Sequence, residues 1–179
     1  DIAEVREERL EPDCKSLKDA SPDRLVAALK SDNMLWRLHA QRLLVERGRG
    51  LDFEDGLKPL IRSDSVDDIN QNTDAIHALW TLQGIGALRD TKSDAAIFAQ
   101  LALELHPSAG VRRAAIAALP PHPRNAMWLL EAGALEDPDP HVQLAALLAL
   151  ADIPNESDVA GAAVAAAIAN PRVHSHRWL

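Results

Sequence analysis

Hydrophobic residues recur along this chain with the spacing of one helix face, in five segments that can be aligned with one another. A small residue stands at the fifth aligned position of four segments, and a leucine stands four residues later. Because a helix turns once in about 3.6 residues, positions one, five, eight and nine share a face and are predicted to be buried. The first positions are Trp36, Asp74, Val111, Val142 and Val173; the fifth are Ala40, Ala78, Ala115, Ala146 and Arg177; the ninth are Leu44, Leu82, Leu119 and Leu150.

A second apolar segment with helical spacing precedes each of these helices, so each repeating unit is predicted to be a pair of antiparallel helices. No alternating strand pattern competes with this one. We therefore expect an all-α fold, an α-α superhelix of helical hairpins with four full repeats and a truncated fifth. The preceding segments are residues 22–30, 53–62, 94–105, 124–135 and 156–169.

The pattern predicts one repeat domain, residues 21–179, after an acidic linker or N-terminal helix, residues 1–20. The last repeat reaches Leu179 without the polar end face that a stack of repeats needs. We therefore expect the chain to be a fragment of a larger multidomain protein. The approximate repeats are 21–50, 51–90, 91–120, 121–153 and 154–179.

Capping residues mark the beginnings of the second helices. At the one position that breaks the capping column, Gln71, the neighbouring Asn70 or Asn72 could serve instead. Pro140 and Pro171 directly follow their caps, at the first helical position, where proline is favoured. The column, three residues before each first position, reads Asn33, Gln71, Ser108, Asp139 and Asn170.

Glycines are predicted to mark helix ends and close contacts. Gly48 follows Arg47 and suits a left-handed helix C-cap. Gly84 and Gly86 follow a helix instead of a strand, so they cannot form a dinucleotide-binding turn, and we interpret them as caps or points of close helix approach.

Composition and charge narrow the classes of function. Hydrophobic residues make up 47% of the chain and aromatic residues 3%, a mixture that favours helix packing. The formal net charge of −8 opposes binding to a phosphate backbone, so we expect no nucleic-acid partner. The sequence contains no apolar run of 18 residues, so we expect no direct membrane insertion. The single cysteine, Cys14, cannot form an internal disulfide.

Helix pairs with an Asp-Pro-Asp turn, then valine, then a small residue four positions later, resemble HEAT repeats. Residues 137–139 with Val142 and Ala146 show this pattern. The 31-residue spacing from Val111 to Val142 and from Val142 to Val173 resembles the shorter, phycobilin-lyase-type HEAT repeat. The resemblance implies a HEAT-like, armadillo-like helical fold.

Two segments, 41–48 and 77–88, resemble the HEAT region of large haem-binding membrane-bound dehydrogenase-like proteins of planctomycete-type bacteria. In that family a β-propeller precedes the HEAT region and a c-type cytochrome domain follows it. The sequence has no Cys-x-x-Cys-His haem attachment motif. The resemblance therefore implies a connecting repeat module, exported or periplasmic, and transfers no catalytic residue.

Three histidines, His39, His77 and His176, occupy the same fourth position of their repeats. They could line one surface, or each could pack against the adjacent repeat and hydrogen-bond one of its turns. A histidine-based metal site needs three or four converging ligands, so we favour packing and expect no metal. The aspartates of the joint 63–73 do not have EF-hand spacing, and we interpret this joint as a solvated acidic loop.

Trp36 and Trp80 lie on second helices, whose outer face lines the concave side in this architecture. Tryptophan is favoured at binding hot spots. However, Trp36 occupies a core-facing position and Trp80 an intermediate one, so core packing competes with a binding role for both. The candidate binding residues of the concave face are Trp36, His39, His77, Trp80, Arg113 and His176.

Catalytic chemistry has little support, because no serine lies in a nucleophile elbow and Cys14 has no identifiable histidine partner. We expect a non-catalytic scaffold, without a cofactor, that binds a protein partner or flanking domains of its own chain. The acidic balance favours a basic partner surface. The alternatives are a repeat-type lyase or cofactor-handling module, and a docking module for a neighbouring haem or dehydrogenase domain.

Overall fold

A computed structural model describes residues 16–48, 53–154 and 158–169. Across these residues the chain forms nine α-helices, one 3₁₀ turn at Ala134–Glu136 and no strand, which confirms the prediction of an all-α protein. The helices are α1 Pro22–Ala28, α2 Met34–Arg47, α3 Glu54–Arg62, α4 Thr73–Ile85, α5 Asp94–Leu105, α6 Ala109–Ala118, α7 Pro123–Glu131, α8 Pro140–Ala151 and α9 Asp158–Ala169.

The two helices of each predicted hairpin pack together, and alternate helices also touch. Helix α1 packs on α2, α3 on α4, and α5 on α6, while α8 contacts the 3₁₀ turn and α9. Contacts also join α2 to α4, α4 to α6, and α6 to α8, and α3 touches both α1 and α5. The even-numbered helices from α2 to α8 therefore lie side by side in chain order.

The aligned alanines and leucines form the core between these even-numbered helices. An alanine at the fifth position lets neighbouring helices approach closely, and a leucine at the ninth buries enough apolar area to stabilise the contact. At the first position Val111 and Val142 are buried, whereas Trp36 and Asp74 are only partly buried. The alanines Ala40, Ala78, Ala115 and Ala146 are all 0% exposed, and the leucines Leu44, Leu82, Leu119 and Leu150 are at most 9% exposed.

Side chains bridge the turns that precede α2, α6 and α8. In each turn, the residue at the second aligned position donates a hydrogen bond to the carbonyl oxygen six residues earlier. The same residue that provides this carbonyl oxygen also accepts a hydrogen bond through its side chain. The donor of this second bond is the backbone N–H of the residue two positions later. These turn bridges satisfy backbone groups that the hairpin geometry leaves open. They join Arg37 to Ser31 (2.5 Å), Arg112 to His106 (2.9 Å) and Gln143 to Asp137 (2.6 Å).

Two of the four described members of the predicted capping column are confirmed. Asn33 and Asp139 each accept a hydrogen bond from a first-turn backbone N–H. Helix α4 is capped by Asn72, one residue after Gln71, because a glutamine is a poor N-cap and the adjacent asparagine reaches the N–H of Ala75 at 2.9 Å.

The prediction that Ser108 caps α6 through its side chain is wrong. Its hydroxyl makes no capping hydrogen bond, and among the described residues its buried Oγ has no partner. The backbone N–H of Ser108 is instead bound by Nδ1 of His106, at 3.0 Å. The turn before α6 is therefore ordered by a histidine that the capping pattern does not reveal.

The prediction of a left-handed cap at Gly48 is also wrong, since its backbone is right-handed with φ −64° and ψ −12°. A Cβ atom at this position would lie 2.5 Å from Cγ2 of Ile85, so the close approach of α4 requires glycine here. The other two glycines behave as expected. Gly86 caps α4 with φ 79°, and a Cβ on Gly84 would lie 2.6 Å from Cγ2 of Val45.

Helix α7 is shorter than its apolar pattern predicts. It ends at Glu131, four residues before the predicted boundary at Leu135. Gly133 has φ 64°, and the chain then forms the 3₁₀ turn. Because the left-handed glycine breaks the helix, Leu135 belongs to the turn that contacts α8.

The described part of the N-terminal segment packs against the first hairpin. Leu17 is 1% exposed. Arg47, at the end of α2, donates hydrogen bonds to the carbonyl oxygens of Ala20, at 3.1 Å, and of Lys18. These contacts attach residues 16–20 to α1 and α2.

Among the helices that the structure describes, none combines the length and the apolar character needed to cross a membrane.

Several predicted features lie outside the described residues. They are Cys14, Asn170, Pro171, Val173, His176 and Arg177.

Candidate binding groove

The even-numbered helices present one side that is not buried, which we call the second-helix face. It consists of the third and seventh aligned positions of α2, α4, α6 and α8. At about 100° per residue these positions point away from the fifth and ninth, which form the core. Its residues are Leu38, Arg42, Ile76, Trp80, Arg113, Ala117, Leu144 and Leu148, and none of them is buried.

A groove of about 500 Å³ opens on this face between α4, α6 and α8. Its floor reaches Leu129 of α7 and the turn at Pro120 and Pro121. Trp80 forms one wall and Leu148, 59% exposed, stands on the opposite side. The groove is thus an apolar depression at the junction of the third and fourth hairpins.

Small residues create this space. Helix α6 contributes Gly110, Ala114 and Ala117 to the lining, and α8 contributes Ala145 and Ala149. Since an alanine side chain ends at Cβ, these positions leave the volume between the helices unfilled, whereas leucine or phenylalanine would occupy it.

Three polar side chains line the groove. Arg113 of α6 is exposed and has no hydrogen bond or ion pair with any described residue. Asp152, directly after α8, is likewise exposed. Asn125 of α7 is 2% exposed, donates from Nδ2 to the carbonyl oxygen of Pro120 at 2.6 Å, and has no partner for Oδ1 in the described part of the chain. Among the described residues the groove therefore presents one exposed cation, Arg113, and one exposed carboxylate, Asp152, whereas the side chain of Asn125 is closed to solvent.

Five of the six predicted site residues lie in the described part of the chain, and two of these five line the groove. Trp80 and Arg113 both line the groove. Trp36 is partly buried and packs against the core, and His39 is exposed on α2. Neither of these two lines the groove.

His77 is held between adjacent even-numbered helices. Its Nδ1 lies 2.7 Å from Oε1 of Gln41 on α2. Burial lowers the pKa of His77, and the nearby Arg37 lowers it further. A neutral, hydrogen-bonded imidazole in this position links α2 to α4.

A group of polar residues that we call the turn cluster joins the turns before α4, α6 and α8. His106 is 4% exposed, and since its Nδ1 accepts the N–H of Ser108, its Nε2 carries the proton and donates to the carbonyl oxygen of Ser63 at 3.0 Å. Burial, together with the nearby charge of Arg112, lowers the pKa of His106 more than the bond to Ser63 and the charge of Asp64 raise it. The cluster consists of Ser63, Asn72, His106, Ser108, Arg112 and Asp137.

Arg112 and Asp137 form the ionic part of the turn cluster. The guanidinium is bidentate, with Nε 2.7 Å from Oδ2 and Nη2 2.9 Å from Oδ1, and the two side chains are 13% and 9% exposed. Hydrogen bonding to Asp137 raises the pKa of Arg112. Arg112 also donates to the carbonyl oxygens of His106 and Pro107. This arginine therefore connects its own turn to the turn of the next hairpin.

The turn bridges were missed in the sequence pattern, although a signal for them is present. The signal is a polar residue followed six positions later by a long hydrogen-bond donor, repeated just ahead of three second helices. Asn125, Leu148 and Asp152 of the groove were also missed. Leu148 could have been found from its seventh position, which it shares with Trp80.

The acidic joint between α3 and α4 organises its own backbone. Oδ1 of Asp67 accepts the N–H groups of Ile69 and Gln71. Among the described residues, no group of three or more His, Cys, Asp or Glu side chains is arranged to hold a metal ion.

No family model, curated protein or solved structure matches this chain. A function for the groove therefore has to be inferred from its lining and its charges.

Proposed function

We propose that this chain is a non-catalytic module of HEAT-like helical repeats that binds a protein partner, or a flanking domain of its own chain, through the second-helix face. The observation that carries the proposal is the apolar groove on that face, with an exposed leucine and a partly exposed tryptophan facing it. Exposed apolar patches rimmed by polar residues are typical of interaction sites.

The helix contacts support the repeat interpretation. Side-by-side packing of α2, α4, α6 and α8, with a buried alanine and leucine in each, is what stacked helical hairpins require. In an α-α superhelix this row would be the concave side. The resemblance to the HEAT region of exported haem-binding dehydrogenase-like proteins favours a neighbouring domain as partner.

The proposal can be tested with a random peptide library displayed on phage and selected on the chain. We expect binders whose affinity falls at least about tenfold, equivalent to ~1.4 kcal/mol, in Leu148→Glu. The matched control is Leu105→Glu on α5, which changes another exposed leucine, 70% accessible, outside the groove.

Hydrogen exchange of the chain with a selected peptide locates the contact. Protection should concentrate in α4, α6 and α8. Peptides that tolerate Leu148→Glu, or that lose as much affinity with Leu105→Glu, would contradict binding through the second-helix face.

A further inference from the structure

We infer that the groove takes an acidic, apolar segment of a partner protein, with an apolar side chain inserted beside Trp80 and Leu148 and a neighbouring carboxylate paired with Arg113. This inference rests on the proposed function and specifies the partner that the same face accepts. The net charge of −8 favours a basic partner for the chain as a whole, whereas at this groove we infer an acidic one.

The walls of the groove determine the apolar part of the partner. Its volume of about 500 Å³ exceeds that of a single side chain and falls inside the range of about 300–1,000 Å³ that is usual for binding pockets. Ile76, Trp80, Leu129 and Leu148 surround it from three helices. Leucine, phenylalanine or tryptophan side chains fit this lining, because burial there removes apolar surface from water on both partners.

Arg113 determines the charge of the partner segment. Its guanidinium is solvated at the edge of the apolar space and has no partner among the described residues. A planar guanidinium matches a carboxylate through two parallel hydrogen bonds, and it loses less hydration than an ammonium group does on burial. A carboxylate placed here gains this pair, whereas a lysine would be repelled.

Asp152 gives the segment a direction. Arg113 is at aligned position three of α6, counted from Val111, and Asp152 is at position eleven of α8, counted from Val142. Since α6 and α8 occupy the same place in successive hairpins, this difference of eight residues separates the backbone positions of Arg113 and Asp152 by about 12 Å along the helices. The acid of the partner is therefore held at the Arg113 end and repelled from the other.

The test is a charge reversal. Peptide libraries are selected in parallel on the wild-type chain and on Arg113→Glu. Wild-type binders are expected to carry Asp or Glu next to Leu, Phe or Trp, and to lose at least about tenfold in affinity for the variant, whose own binders should exchange the acid for Lys or Arg. Arg24→Glu on α1, an exposed position outside the groove with the same charge change, should alter affinity less than about twofold.

The outcomes separate this inference from the proposed function. Binders that are sensitive to Leu148→Glu but indifferent to Arg113→Glu would leave binding through the second-helix face intact and overturn the acidic segment. Binders that are indifferent to both variants would overturn both proposals. If octanoate binds with Arg113 dependence and no peptide does, the groove is a small-molecule site and the inference of a protein segment is wrong.

Discussion

Arg112 and Arg113 are neighbours on α6, yet they have opposite environments. Arg112 is nearly buried and bonded to Asp137 and to two turn carbonyls, while Arg113 is exposed and has no partner among the described residues. The step of about 100° between consecutive helical residues turns the first into the hairpin turns and the second onto the second-helix face. A polar group whose hydrogen bonds are all made within the protein stabilises the fold, whereas one without such bonds at an apolar groove is available to a partner.

The sharpest test of this contrast is Arg112→Ala. Removing the arginine leaves Asp137, whose side chain is 9% exposed, without its cation and two turn carbonyls without a donor. We therefore expect the free energy of unfolding to fall by about 3 kcal/mol. Urea denaturation measures this change. Arg113→Ala is the matched control, and a loss below about 1 kcal/mol for Arg112→Ala would remove the distinction between the two arginines.

His106→Ala should have the next largest effect. The substitution removes the acceptor for the N–H of Ser108 and the donor to the carbonyl of Ser63 in a buried position. We expect a loss of about 2 kcal/mol at pH 7, measured by the same denaturation. The exposed histidine of α2 serves as control through His39→Ala, which should stay within about 0.5 kcal/mol.

The pH dependence of stability provides a second measure of the turn cluster. Because burial lowers the folded-state pKa of His106 below its unfolded value, its neutral form stabilises the fold above the unfolded pKa, and this contribution is lost as the pH falls through the folded pKa. Stability should therefore decline from pH 7 towards pH 5. The decline should be shallower in His106→Ala, and an unchanged slope would show that the histidine does not control it.

Filling the groove should have the smallest effect on stability. Ala117 is exposed and lines the groove, so Ala117→Leu adds volume there without disturbing the core. We expect a change in unfolding free energy within about 0.5 kcal/mol, together with loss of the selected peptides by competition for the same space. Ala27→Leu, at an exposed alanine of α1, should leave peptide binding unchanged.

The repeating core could be predicted from the sequence because burial at the fifth and ninth positions follows directly from helical periodicity. Gly48 shows a limit of such reasoning: a glycine after a helix serves either a left-handed cap or a close contact, and only the approach of Ile85 decides between them. The turn bridges were missed because the donor is arginine in two turns and glutamine in the third, so the three donor positions do not look equivalent in the sequence.

The groove was less predictable than the helices around it. Trp80 is predictable because it lies on a second helix and tryptophan is favoured at binding hot spots, and Arg113 is predictable only as a residue of the concave face. The space between them arises from alanines and Gly110 on separate helices, and no short-range pattern in the sequence shows that these small residues face one another.

The bidentate bond between Arg112 and Asp137 spans 25 residues of sequence and joins two consecutive hairpins at their turns. In a linear array of repeats, neighbouring units stabilise one another chiefly through such shared contacts. The hairpins of α5–α6 and α7–α8 should therefore open together as one cooperative unit, with matching amide exchange rates, and the floor of the groove between them should persist until both are lost.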